Sequence, residues 1–221
     1  MKRCLQAAFL VCLLAGSASS VHATPVTLDF EGLKDLQQIG NFYNGGAGGN
    51  YGVTFSKAAT ALIDQDAGGN GNFANEPSPS TIMVFDQPSL SSSMNVAGGF
   101  TSISFSYTSL WFPAAVTVFG GATGTSALAS RLLPMLPSSC GGGDPTGSFS
   151  CWKAVTLTFS GTAQSIKWIG ARNFLGIDNI TLNTVQPIRS VPEPAFLLLF
   201  ASGATMAAGV FYGRRKASLH T

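Results

Sequence analysis

Between residues 24 and 190 the side chains able to do acid–base, nucleophilic or metal chemistry reduce to nine carboxylates, two cysteines and no histidine. The two histidines of the chain, His22 and His220, lie outside that stretch. Neither a Ser-His-Asp or Cys-His nucleophile nor a histidine-ligated zinc can therefore be assembled there. Glycoside hydrolysis by two opposed carboxylates is the enzyme class this inventory leaves open. Nothing in the spacing sets two of the nine across a groove, and the reading is of a non-catalytic protein that requires no cofactor. Cys140 and Cys151 bracket the Gly-rich segment 141–150. In an oxidising compartment such a pair closes a surface loop as a disulfide, a constraint of about 3 kcal/mol. Two thiols are too few for a structural zinc.

Among the carboxylates, Asp178 stands out. Alternation along Asp178-Asn179-Ile180-Thr181-Leu182 puts it on the face of Ile180 and Leu182, and a carboxylate on a core face needs a partner. Turn amides around Gly176 or the guanidinium of Arg172 would serve. So would a structural Ca²⁺ shared with Asp29 and Glu31, if the first and last strands adjoin. Asp64-Gln65-Asp66 with Asn70 and Asn72 is a thinner calcium candidate, because it lacks the acidic twelfth ligand of a calcium loop. Three aromatic side chains are candidates for stacking on a sugar. Trp111 lies in Leu110-Trp111-Phe112-Pro113 at a strand break, and Tyr43 and Tyr51 flank the glycines of 45–49. Trp168 shares a face with Ile166 and reads as core.

The elements that must position these groups are strands. Period-two alternation recurs at 26–31, 51–55, 81–85, 103–107, 116–119, 155–159, 165–169 and 177–182, separated by Gly, Asn, Ser and Pro. The best helical stretch, 127–136, is cut short by Pro134 and Pro137. The expectation is an all-β domain over 24–183, a two-sheet antiparallel β-sandwich of jelly-roll type. The Gly-rich segments 45–50 and 68–72 open no helix and carry no Lys-Ser/Thr, so they read as surface turns and not phosphate cradles. Seven Lys and Arg against nine Asp and Glu leave 24–190 near −2. No basic face is available for a nucleic acid.

Both ends of the chain are addresses. Lys2 and Arg3, the apolar stretch 5–15 and Val21-His22-Ala23 form a secretory signal peptide over 1–23. After a linker at 184–190 come Val191-Pro192-Glu193-Pro194, eighteen apolar residues at 195–212, and Arg214-Arg215-Lys216. As a helix the apolar run spans roughly 27 Å, about a bilayer's hydrocarbon core. The basic cluster is the flank retained in the cytoplasm. Pro192 and Pro194 hold the juxtamembrane chain extended, and Glu193 would stand at the positive end of the helix. The expected path is export through the inner membrane, a membrane-anchored precursor, and then the cell surface or extracellular matrix.

Taken together, residues 191–216 resemble the PEP-CTERM sorting signal of Gram-negative bacteria. That resemblance implies recognition by an exosortase, a membrane cysteine transpeptidase acting near Pro192-Glu193-Pro194, and an association with extracellular polysaccharide and biofilm. A looser likeness rests on Asp29-Phe30-Glu31 and Asp178-Asn179-Ile180-Thr181-Leu182. It implies a galactose-binding-like jelly roll. On this reading the domain is a structural or adhesive component of an exopolysaccharide matrix. The alternatives are a calcium-supported carbohydrate-binding module and a carboxylate glycosidase.

Overall fold

The computed structural model describes residues 25–85, 88–141 and 147–183. The signal peptide, the linker 184–190 and the sorting tail with its apolar run fall outside the described residues. Among those described there is no helix, and every strand pair is antiparallel. Eleven strands follow one another. They are β1 (Val26–Leu28), β2 (Asn44–Gly46), β3 (Gly49–Asn50), β4 (Val53–Phe55), β5 (Ala59–Ile63), β6 (Thr81–Phe85), β7 (Ser91–Ser109), β8 (Ala114–Phe119), β9 (Ala127–Leu133), β10 (Lys153–Ile169) and β11 (Leu175–Asn183). β2 and β3 form a small separate hairpin. The other nine make one hydrogen-bonded sheet in the order β5-β6-β11-β7-β10-β8-β9, with β1 on β11 and β4 on β7.

The backbone of this sheet is the β7–β10 pair. It runs from Ser91↔Ile169 to Tyr107↔Lys153, with register shifts around Phe100 and Ala163. Gly99 sits at that break with φ of +70°, and a Cβ there would lie 2.4 Å from Thr162 Cγ2, so only glycine fits. The break bends the ladder over. Trp168 pairs with Ser92, thirteen residues along β7 from Phe105, a span of roughly 40 Å if straight. Yet the Trp168 and Phe105 rings meet edge to face at 5.9 Å. The ladder therefore doubles back into two layers. One carries β4, β8 and β9, and the other carries β5, β6, β11 and β1. Between them lie Leu28, Phe30, Met94, Val96, Phe105, Val116, Trp168 and Ile177, all buried.

β6 is buried on both faces. Met83 and Phe85 enter the main core, while Ile82 and Val84 join Phe73 in a second cluster against Leu62, Phe149 and Trp152. That second cluster forms the floor of the site described below.

Several elements differ from the sequence expectation. The stretches 155–159 and 165–169 are one strand, β10, and 103–107 is the second half of β7. The best helical stretch is the strand β9, where pairing with β8 from Ala114↔Leu133 onward overrides the local preference of its Ala and Leu residues. At Asn179 (φ 48°) a bulge shifts the register between Asp178 and Thr181. Ile177 and Ile180 consequently both reach the main core, although strict alternation would separate them.

Candidate functional site

The carboxylates near the two ends of the domain converge on one turn. β1 pairs with β11 through Val26↔Leu182, Thr27↔Thr181 and Leu28↔Ile180, which brings Asp29 and Glu31 to the side of Asp178. The Ser78-Pro79-Ser80 turn ahead of β6 supplies the donors. Asp178, wholly buried, accepts the Ser78 amide (2.7 Å), the Ser78 hydroxyl (2.9 Å) and the Asn179 amide (2.6 Å). Burial raises its carboxyl to about 6, against the opposing pull of these hydrogen bonds, and the charge of Glu31 adds to the rise. Glu31 Oε1 accepts the amides of Ser80 (2.9 Å) and Thr81 (2.8 Å), and its Oε2 accepts their hydroxyls. Asp29 Oδ1 accepts the Glu31 amide at 3.3 Å. As arranged, the carboxylates of Asp178 and Glu31 bind the turn to the last and first strands, and the Ser78 hydroxyl also lies 3.2 Å from the Asp29 carbonyl. Among the described residues no group of three or more His, Cys, Asp or Glu is disposed to hold a metal ion.

A second, chemically different site lies on the outer face of β5, β6 and β11. It is a cavity of about 370 Å³. Its floor is made by Leu62, Ile82, Val84 and Gly176, and its walls by Phe73, Phe149, Phe174 and Trp111. Phe174, in the loop before β11, is the hub of an aromatic group. Its ring centroid lies 4.9 Å from Trp111, 5.6 Å from Phe112 and 6.2 Å from Phe149. Trp111 is 61% exposed and Leu36, on the opposite lip, 60%. Large apolar groups left so open beside a cavity mark a contact surface. The polar members are Thr60, Asn70, Asn72, Thr108 and Asn173, and among the described residues no charged side chain lines the cavity. Such a wall can bind and orient a ligand.

The disulfide fixes one wall. Cys140 and Cys151 are bonded, with Cα atoms 5.1 Å apart. The Cys140 amide also donates to Ser150 Oγ at 3.0 Å. Phe149 is thereby held beside Phe73, to which it is bridged. Trp152 donates its indole N–H to Ala74 O at 3.0 Å, and its ring meets Phe73 edge-on.

Residues 190–216 match the model of the PEP-CTERM protein-sorting motif. The chain carries a PEP-CTERM sorting signal. No curated protein matches this PEP-CTERM chain. Among solved structures, the K2 cleaved adhesin domain of Lys-gingipain is similar over 73% of this chain and 100% of that one, at 11% identity and a TM-score of 0.49. The K1 cleaved adhesin domain of Lys-gingipain from Porphyromonas gingivalis W83 covers 73% and 98%, at 10% identity and TM-score 0.40. TmCBM61 in complex with β-1,4-galactotriose covers 68% and 98%, at 15% identity and TM-score 0.37.

Of the three aromatic candidates ahead of the PEP-CTERM tail, the structure places only Trp111 at the cavity. Tyr43 is buried in the main core, and its phenol oxygen accepts the Phe30 amide at 2.7 Å. Tyr51 packs against the same core beside the β2–β3 hairpin, under Gly49. Trp168 is core, as its face indicated. Sequence reasoning missed Phe149, set between serines in Gly147-Ser148-Phe149-Ser150, and Phe174, in the turn after Asn173. An isolated aromatic residue in such a segment was the available signal.

Proposed function

We propose that this is a non-catalytic exported protein of a bacterial surface or extracellular matrix. The signal peptide would export it, and the apolar run at 195–212 would hold the precursor in the inner membrane. An exosortase would then process it near Pro192-Glu193-Pro194, and the released domain would serve an exopolysaccharide matrix or biofilm. The observation that carries this reading is the match of 190–216 to a protein-sorting motif. Its test is replacement of Pro192, Glu193 and Pro194 by alanine in cells that contain an exosortase. The full-length precursor should then persist in the membrane fraction, and unchanged trimming of that variant would refute exosortase recognition.

A second reading concerns the domain alone, as a carbohydrate-binding module with a jelly-roll-like sandwich. What favours it is the open Trp111–Phe174 cavity walled by aromatic rings and amides. Aromatic faces bind the apolar face of a sugar, while amides and hydroxyls fix its orientation. Binding to an oligosaccharide panel, lost on Trp111→Ala, supports this reading, and absence of binding across the panel refutes it. Binding that survives EDTA would separate it from the calcium-supported form. Among the described residues no carboxylate lines this cavity to support the glycosidase alternative.

A further inference from the structure

On β5, Ala59 and Ala61 point into the main core. Thr60 and Leu62 face the other way, opposite their register partners Val84 and Ile82. Thr60 is thus part of the cavity wall, and it is only 2% exposed. Its Oγ1 is fully buried and meets no hydrogen-bond partner. An orphan hydroxyl of this kind costs the fold stability, and valine would fill the same volume without that cost. Thr60 lies in the lining of the cavity.

We propose that the cavity takes one neutral pyranose unit of a polysaccharide, with one sugar hydroxyl reaching Thr60 Oγ1 and the ring's apolar face against Trp111 and Phe174. This rests on the carbohydrate-binding reading above and adds the class of sugar and the residue that selects it. The walls exclude the competing occupants. An alkyl chain would seal Thr60 Oγ1 away from any partner, and the amides of Asn72 and Asn173 would face hydrocarbon. A uronate or sulfated sugar would bring a charge to a lining that contains no Lys or Arg. A neutral sugar meets both demands, since each of its hydroxyls can donate and accept, as threonine does. Asn72 accepts the Ser148 amide through Oδ1 at 3.1 Å, which leaves its Nδ2 as a donor for the same ligand. The volume of about 370 Å³ falls in the lower part of the small-ligand range, roughly 300–1,000 Å³.

The test uses the full chain purified in detergent. It is titrated calorimetrically with neutral gluco-, galacto-, manno- and N-acetylglucosamine oligosaccharides, and with glucuronate and mannuronate oligomers. At least one neutral member should bind, and each uronate more weakly. Thr60→Val should weaken binding of that member about 5- to 30-fold while raising Tm by about 2–4 °C, opposite signs that a purely structural hydroxyl would not produce. Thr60→Ser should retain binding that Thr60→Ala loses, which keeps the test valid if the valine variant folds poorly. Unchanged affinity in Thr60→Val, a lowered Tm, or tighter binding of a uronate overturns the proposal. If a neutral sugar binds and Trp111→Ala abolishes it while both Thr60 pairs are indifferent, this inference fails and the carbohydrate reading stands. If nothing in the panel binds, both fail.

Discussion

Replacing Asp178 by asparagine removes a charge from a wholly buried site without changing its size. The folded carboxyl titrates near 6 and starts from an ordinary value of 3.8. The difference of about two units corresponds to about 3 kcal/mol between the protonated and ionised forms. The sign follows from proton counts. Between pH 4 and 6 the folded protein holds more protons than the unfolded chain, so stability falls as pH rises through that window and levels off above it. Asparagine mimics the neutral side chain at every pH. It also leaves either the Ser78 or the Asn179 amide without an acceptor, an offset of about 1–3 kcal/mol that does not vary with pH. The assay is urea unfolding of both proteins by tryptophan fluorescence from pH 4 to pH 7. Groups common to both cancel in the difference. The wild type should gain about 3 kcal/mol on the variant as pH falls from 7 to 4, most of it between 6 and 4. A difference that stays flat within about 0.5 kcal/mol, or one in which the wild type gains on raising the pH, would refute the account of Asp178 as a buried charge held by Ser78.

The double variant Cys140→Ser/Cys151→Ser should lose about 3 kcal/mol of stability in the same unfolding assay. It should also bind oligosaccharide more weakly, because Phe149 loses its fixed position; equal affinity of the two proteins would disconnect the disulfide from the cavity. Gly176→Ala places a Cβ 2.8 Å from Ile82 Cδ1 and 2.9 Å from Thr108 Cγ2. An overpacking cost of about 1–3 kcal/mol is expected, together with lost ligand binding. A stable variant that still binds would show that the floor of the cavity yields.

What was legible in the sequence is what alternation encodes. Thr81–Phe85, 103–107, 116–119 and 177–182 all lie in strands because their apolar residues repeat with period two. The first half of β7 was hidden, since Ser91, Ser92 and Ser93 carry no hydrophobic signal and Gly98 and Gly99 interrupt the apolar alternation after Met94 and Val96. Continuity was hidden too. The runs 155–159 and 165–169 read as two strands, whereas β10 continues between them through Gly161 with φ of +85°. The adjacency of Asp29, Glu31 and Asp178 was foreseen from the closeness of first and last strands. Their true donors, Ser78, Ser80 and Thr81, could not be, because about a hundred residues separate Ser78 from Asp178. The cavity was invisible for the same reason. Its lining comes from seven separate segments that only the folded-over ladder brings together, and of its aromatic residues only Trp111 stood out in the sequence.

β11 begins at the cavity, where Gly176 forms part of the floor, and ends at Asn183, next to the segment that leads to the sorting signal. It is flanked by β7 on one side and by β6 and β1 on the other. A molecule tethered at its C-terminus and gripped at Trp111, just past the end of β7, would therefore be loaded across the β7–β11 ladder. The ladder bonds lie across the line of pull and would have to break in shear, many at once, instead of unzipping one after another.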